Sequence, residues 1–433
     1  MRNRGRLLLA FLLLGLVSTR VAAAQKVAIR SARIYTVTQG IIENGTIVLA
    51  DDKIEAVGKD IAIPPDAKVI DATGRVVIPG LIDAFDRVGL EEIEGESITI
   101  DSTEYTDPVH PALRVIDSLN PQSEVIRVTR AEGITNALAV PREGNVLAGQ
   151  GALIHLDGST VDEMTVRAPV AMHVSFGEAA RREYGPRNKA PQTRMGVAAV
   201  LRTALIKGQN YATRWDDYRK KFADWEAKKE GKPPSPPDRD LDLDALQPVL
   251  RGELPVIASA RRLDDILTAL RIAEEFHLRL VLAHATDAYR IAPMLAEKKI
   301  PVLVGPIREE PQRIEELGTR LDNAAILAKA GVKIAIGTDE VHDARDLPLD
   351  VGFAMGYGLD PDQALRAVTS NPAEIFGVAD RLGSITPGKL ANLVLLSGPP
   401  FETRTRVERV WIRGVAVPLA NHQTELRDKY KNF

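Results

Sequence analysis

The chain has no cysteine among its 433 residues, which removes disulfides, thiolate zinc sites and thiol catalysis together. Aromatic residues are scarce, at 5%. A basic excess is also missing: 56 Lys and Arg stand against 59 Asp and Glu. No surplus is left to neutralise phosphates, so nucleic acid is not an expected partner. Neither a Gly-x-Ser-x-Gly elbow, a phosphate loop nor a Rossmann glycine fingerprint occurs. Collagen and heptad repeats are absent too, and 45% apolar residues argue against disorder over the whole chain. A chain this long makes two or three domains, unless one large α/β barrel takes most of it.

What is present begins with the N-terminus. Met1–Arg6 carry three arginines, Leu7–Val17 is an apolar run, and Ala22-Ala23-Ala24 precedes Gln25. A basic start, a short apolar core and small residues at −3 and −1 describe a secretory signal peptide over residues 1–24. The run is shorter than the ~20 residues of a spanning helix, so no membrane span is expected after cleavage. Cleavage takes four arginines and no acid, moving the formal charge from −3 to −7. The expected location is outside the cytoplasm, periplasmic or secreted.

From Lys26 to about Ile78 the text reads as β, with a hairpin around Asp51-Asp52 between Thr46–Leu49 and Ile54–Val57. The β character returns after about Leu382, in Leu393–Leu396 and Val407–Ile412. Between these, short apolar strands (166–174, 280–283, 301–304, 333–337) alternate with helical stretches such as 263–276 and 361–368. That alternation predicts an α/β fold: a parallel (β/α)8 TIM-type barrel over 79–383. Residues 25–78 and 384–433 then form a small β-sandwich beside it. One insertion, about 209–245, breaks the rhythm. It is a charged helix bearing Trp215, Tyr218, Phe222 and Trp225. A segment with four prolines, Pro233, Pro234, Pro236 and Pro237, follows it. The aromatic stripe is expected to pack on the barrel, or to form a partner-docking surface.

Val77-Ile78-Pro79-Gly80-Leu81-Ile82-Asp83-Ala84 stands at the first junction between the β segment and the barrel. Leu282–Tyr289, Ile334–Asp339, Ala364–Ala373 and Gly383–Lys389 follow in order. Together these segments resemble the amidohydrolase superfamily, more narrowly its exported imidazolonepropionase-like branch. The resemblance covers essentially the whole mature chain. It implies a barrel with a small sandwich, and hydrolysis of amide-like carbon–nitrogen bonds in a small-molecule substrate. In that chemistry, water is activated by one or two divalent, zinc-type ions at the strand ends.

The departures from the family pattern fall on the ligands themselves. Where the family's first strand continues into His-x-His, this chain reads Phe85-Asp86-Arg87. Phenylalanine cannot bind a metal, and Arg87 brings a fixed positive charge. The fifth-strand histidine is replaced by Ser259, and His173 stands where a lysine is expected. His284 and Asp339 keep their family places. The resemblance therefore implies Asp339 as the proton-shuttling catalytic residue and His284, Asp339 and His173 as the remaining metal set. Substrate contacts fall to His342, Arg87 and Ser259. Positions 85 and 87 share a strand face, which predicts that Arg87 pairs with Asp339 in place of the missing ion. Asp86 is expected to point away from the lumen, Arg194 to cap the helix after it, and His155 to serve packing.

Two functions follow. One is a hydrolase of amide-like, non-peptide or dipeptide-like bonds with a reduced or rearranged metal site. The alternative is an inactive binding or assembly subunit, forming a homo- or hetero-oligomer with a related barrel.

Overall fold

The computed structural model describes residues 26–431; the expected leader lies outside them. Five strands open the chain: β1 (Val27–Tyr35), β2 (Ile41–Ala50), β3 (Lys53–Gly58), β4 (Lys68–Asp71) and β5 (Val76–Pro79). Eight barrel strands follow: β6 (Leu81–Asp86), β7 (Ile134–Ala139), β8 (Leu147–His155), β9 (Thr165–Ser175), β10 (Val256–Ala260), β11 (Leu280–His284), β12 (Val302–Val304) and β13 (Ile334–Ile336). Near the C-terminus come β14 (Leu393–Leu396), β15 (Val407–Ile412) and β16 (Val415–Val417).

The terminal strands combine into one sheet in the order β16-β15-β14-β5-β1-β2-β3, with β4 paired to β1. The β2–β3 turn places Asp51 at φ 52°, a conformation that a short polar side chain tolerates. Ile29, Ile34, Ile47, Leu49, Leu393 and Trp411 make the sheet's core. Each such buried side chain contributes on the order of 1.5–3 kcal/mol. Strands from both ends of the sequence supply this core, so neither terminal segment could bury its apolar face alone.

The second sheet runs β13-β12-β11-β10-β9-β8-β7-β6. Its lumen is filled by Ile82, Leu138, Leu153, Ile257, Val281 and Leu303. The fold is the expected barrel, with one departure: β8 is antiparallel to both β7 and β9. Chain length explains it. Only residues 140–146 join β7 to β8, enough for a hairpin but well short of the dozen or so residues a parallel crossover needs. The strand order closes where β13 meets β6, with the Asp339 N–H donating to the Phe85 carbonyl at 2.8 Å.

The insertion differs from expectation in extent and packing. The helix runs Arg194–Lys228, and its first half (Val197, Leu201, Leu205, Tyr211) is the buried part. Thr193, not Arg194, caps it, its hydroxyl accepting the Gly196 N–H at 3.0 Å. Arg194 instead reaches Asp265 on the helix Leu263–Glu275, at 2.9 and 3.0 Å. Trp215, Tyr218, Phe222 and Trp225 stack on one another at 5.7–5.8 Å. They do not sit on the barrel wall. The Trp225 indole donates to the Gly231 carbonyl at 3.1 Å, and at the other end Tyr211 and Arg239 share Asp244. Seventeen helical residues and eight extended proline-type residues both span about 25 Å. The proline segment thus returns along the aromatic ladder, where Pro234 and Pro237 are half-buried.

The seam between β13 and β6 leaves no room for a side chain at Gly337. A Cβ there would lie 2.6 Å from the Phe85 nitrogen and 3.0 Å from its carbonyl oxygen. Gly337→Ala is therefore expected to cost about 1–3 kcal/mol, read as a lowered urea midpoint.

Candidate active site at the barrel mouth

Strand β6 delivers the first set of side chains. Its pairing with β7 is irregular between Asp83 and Asp86. Just past that irregularity Phe85 enters the lumen, its ring 5.1 Å from His284 and 5.9 Å from His173. Arg87 follows on the same side, 8% exposed. Its Nη1 donates to Asp339 Oδ1 at 2.6 Å, the pairing expected from the strand register. The other guanidinium nitrogens reach further acids, with Nε 3.2 Å from Glu91 and Nη2 3.8 Å from Glu340. Glu91 is almost wholly buried and also accepts from Arg142, at 3.0 and 2.6 Å, and from the Ser102 hydroxyl.

Strand β10 delivers a second guanidinium that the sequence reading missed. Arg261 stands one residue past the strand end and is buried. Its Nη1 donates to both Glu143 oxygens at 2.9 and 2.7 Å. Its Nε is 3.5 Å from Glu316, and its Nη2 is 4.0 Å from Asp339 Oδ2. Asp339 thus has one oxygen toward each arginine. His284, from β11, lies 3.2 Å from Glu143 and 3.8 Å from Asp339 Oδ2 through Nε2, while Nδ1 is 3.2 Å from the Gly305 carbonyl.

The ionisation pattern follows from these contacts. Burial alone would raise the Glu143 carboxyl, but Arg261 and His284 outweigh it and hold Glu143 well below the usual range. Burial and Arg261 press the His284 imidazole down, yet Glu143 and Asp339 leave it raised. His173 has no charged neighbour, and burial lowers it to about 3, so it stays neutral. The backbone is strained where the groups meet: His284, Ala285 and Asp339 all have positive φ, at 62°, 45° and 50°. Non-glycine residues held there cost about 1–3 kcal/mol each and cluster at functional sites.

Of the residues singled out from sequence, Arg87, Asp339 and His284 come together. His173 is buried in β9, its Nε2 lacking a partner and directed at Gly151, where a Cβ would lie 2.5 Å away. Ser259 is buried in β10 beside Ser175 and Ala283 on the neighbouring strands. His342 is exposed on the loop after Asp339. Asp86 is fully buried and turns one oxygen onto the Val88 N–H at 3.0 Å. His155 bonds Asn136 at 3.0 Å in the buried floor. Glu143 and Arg261 had one usable signal between them: Arg261 follows Ser259 by two positions and so shares its strand face.

A catalytic ion does not fit this arrangement. Among the described residues no group of three or more His, Asp or Glu is placed to hold a metal. The physical reason is local. Asp339 and Glu143 each face a guanidinium, and a phenyl ring occupies the position of the first imidazole. None of the helices in the described part is long and apolar enough to cross a membrane.

Comparison with known proteins places the chain among relatives. A model of the amidohydrolase family matches residues 266–417. The amidohydrolase tasK of Hapsidospora irregularis is 26% identical over 392 residues, covering 87% of this chain and 39% of that protein. The chain thus spans well under half the length of that relative. Imidazolonepropionase of Symbiobacterium thermophilum is 23% identical over 408 residues, 83% of this chain and 85% of its own length. The solved structure of an amidohydrolase from Thermotoga maritima MSB8 is 38% identical with a TM-score of 0.83. It covers 90% of this chain and 99% of that one.

Two outcomes test the charge network. Arg87→Met would strand Asp339 without its nearest cation, and losing one partner of a buried pair costs about 3–5 kcal/mol. Adding Asp339→Asn to that variant should recover part of the loss, both read by urea unfolding. The second outcome concerns pH. Burial pushes the Asp83 carboxyl up to about 7, against hydrogen bonds from Thr338 and the Phe85 N–H that pull it down. The unfolded carboxyl titrates near 3.8, so between these values the folded state binds more protons. Stability should therefore rise as pH falls from 7 toward 4, and Asp83→Asn should flatten that slope in urea midpoints measured across the range.

Proposed function

The chain belongs to the amidohydrolase superfamily, and we propose that it serves there as a non-hydrolytic binding and assembly subunit whose metal centre is replaced by arginine–carboxylate pairs. One observation carries the reading: Arg87 Nη1 lies 2.6 Å from Asp339 Oδ1. In the family's reaction that aspartate takes the proton of a metal-activated water. Here it is committed to a guanidinium, which stays protonated at any physiological pH and offers no coordination site. Asp339 is therefore not free to take a proton from water. The same reading includes export, supported by the basic and apolar start of the sequence. It also includes a small-molecule or protein partner rather than nucleic acid.

A second reading has its own support. His284 Nε2 lies 3.2 Å from Glu143 and 3.8 Å from Asp339, and the relatives carry amidohydrolase and imidazolonepropionase names. On this reading the chain hydrolyses amide-like carbon–nitrogen bonds with a rearranged, zinc-type site.

Metal analysis separates the two. The full chain, soaked in zinc and desalted, is expected to retain far less than one equivalent and to turn over neither dipeptides nor cyclic amides. One tightly held equivalent, lost in a His284→Ala variant and accompanied by turnover, would establish the hydrolase instead. Phe85→His with Arg87→His should raise the zinc retained, because it restores two imidazoles on one strand face and removes the competing cation.

A further inference from the structure

The barrel face at which β6, β9 and β12 end carries an unusual share of exposed apolar surface. Six large apolar side chains among the described residues exceed 60% exposure. Four of them, Ile98, Met195, Ile314 and Leu317, lie in the connections leaving those three strands. Leucine or isoleucine exposed singly is ordinary; several on one face mark an interaction surface.

Charge on the same face is divided rather than mixed. Residues 91–104 contain six acids and no base, and residues 179–194 contain five bases and one acid. The two arms touch. Arg187 donates to the Tyr105 carbonyl at 3.1 Å and Lys189 to the Thr106 carbonyl at 3.3 Å. Yet the outward charges are not spent on each other. Glu94, Glu96 and Asp101 are exposed with no basic partner, and Arg182 and Lys189 are exposed with no carboxylate partner, among the described residues.

We propose that this face binds a second copy of the chain about a two-fold axis, the acidic arm of each copy lying on the basic arm of the other. A partner of one sign, an acidic peptide or an anionic lipid surface, would satisfy one arm and be repelled by its neighbour. A second copy satisfies both, because a two-fold interface needs a self-complementary patch. Ile98, Met195, Ile314 and Leu317 then supply the apolar centre and the arms its orientation. The inference rests on surface residues and stands whether or not the site beneath turns over substrate.

Sedimentation of the full chain at micromolar concentration tests it. The wild type should run at twice the mass of one chain and shift toward monomer as salt is raised. Arg182→Glu with Lys189→Glu reverses the two exposed, unpaired charges of the basic arm, and Glu94→Lys with Glu96→Lys reverses two of the exposed, unpaired charges of the acidic arm. Each variant should be monomeric, and an equimolar mixture of the two should regain the doubled mass. That recovery also shows that both variants are folded. A monomeric wild type, or a dimer that both variants leave intact, would overturn the proposal.

Discussion

The site depends on one constraint: the carboxylate of Asp339, at the rim of a dry barrel, must have a cation. Its superfamily relatives meet that need with ions at the strand ends. This chain meets it from its own sequence, with Arg87 at 2.6 Å on one oxygen and Arg261 at 4.0 Å from the other. The remaining contacts follow from placing two guanidiniums in a closed space. Each carries unit charge that must be balanced, so Arg87 draws in Glu91, and Arg261 draws in Glu143 and Glu316. Arg87 Nε, Arg261 Nε and Glu316 Oε1 have no hydrogen-bond partner among the described residues, but buried charge is costly unless it is paired and hydrogen-bonded where it can be. That is why the Glu91 oxygens engage Arg142 and Ser102 besides Arg87. The network reaches onto the loop after β6 and the β7–β8 hairpin, and so fixes the entry side of the barrel.

How much of this could be read in advance depended on whether the information was local. The Arg87–Asp339 pair was legible because both partners sit at strand positions whose facing is set by the period of two. Arg261 obeys the same rule, two positions past Ser259 on the same strand face, but it lies beyond the end of β10, where strand period no longer fixes what a side chain meets. Glu143 gave no signal at all. It stands in a Pro-Arg-Glu-Gly-Asn hairpin, and only the closed barrel brings that loop to β10. The reversal of β8 was equally invisible, because Leu147–His155 presents the same buried pattern in either direction. The length of the preceding connection held the answer. For the insertion, the aromatic spacing predicted the helix correctly but not what covers it. The cover, a proline segment, follows the helix directly in sequence.

The strained residues add a historical argument in physical terms. Positive φ at His284, Ala285 and Asp339 costs free energy that a purely structural rim would not need. In a barrel built to hold an ion, such strain aims ligands at a common point. Here the same dihedrals aim His284 Nε2 and Asp339 Oδ2 to within 3.8 Å of each other, while the space between them and β6 holds Phe85 and two guanidiniums. The strained backbone thus surrounds arginine–carboxylate pairs.

The arginine–carboxylate pairs bear on chemistry as well as on charge balance. A guanidinium supplies the positive charge, directed hydrogen bonds and permanence that a buried carboxylate requires. It cannot accept a lone pair from water, so it cannot lower water's pKa as a bound divalent ion does.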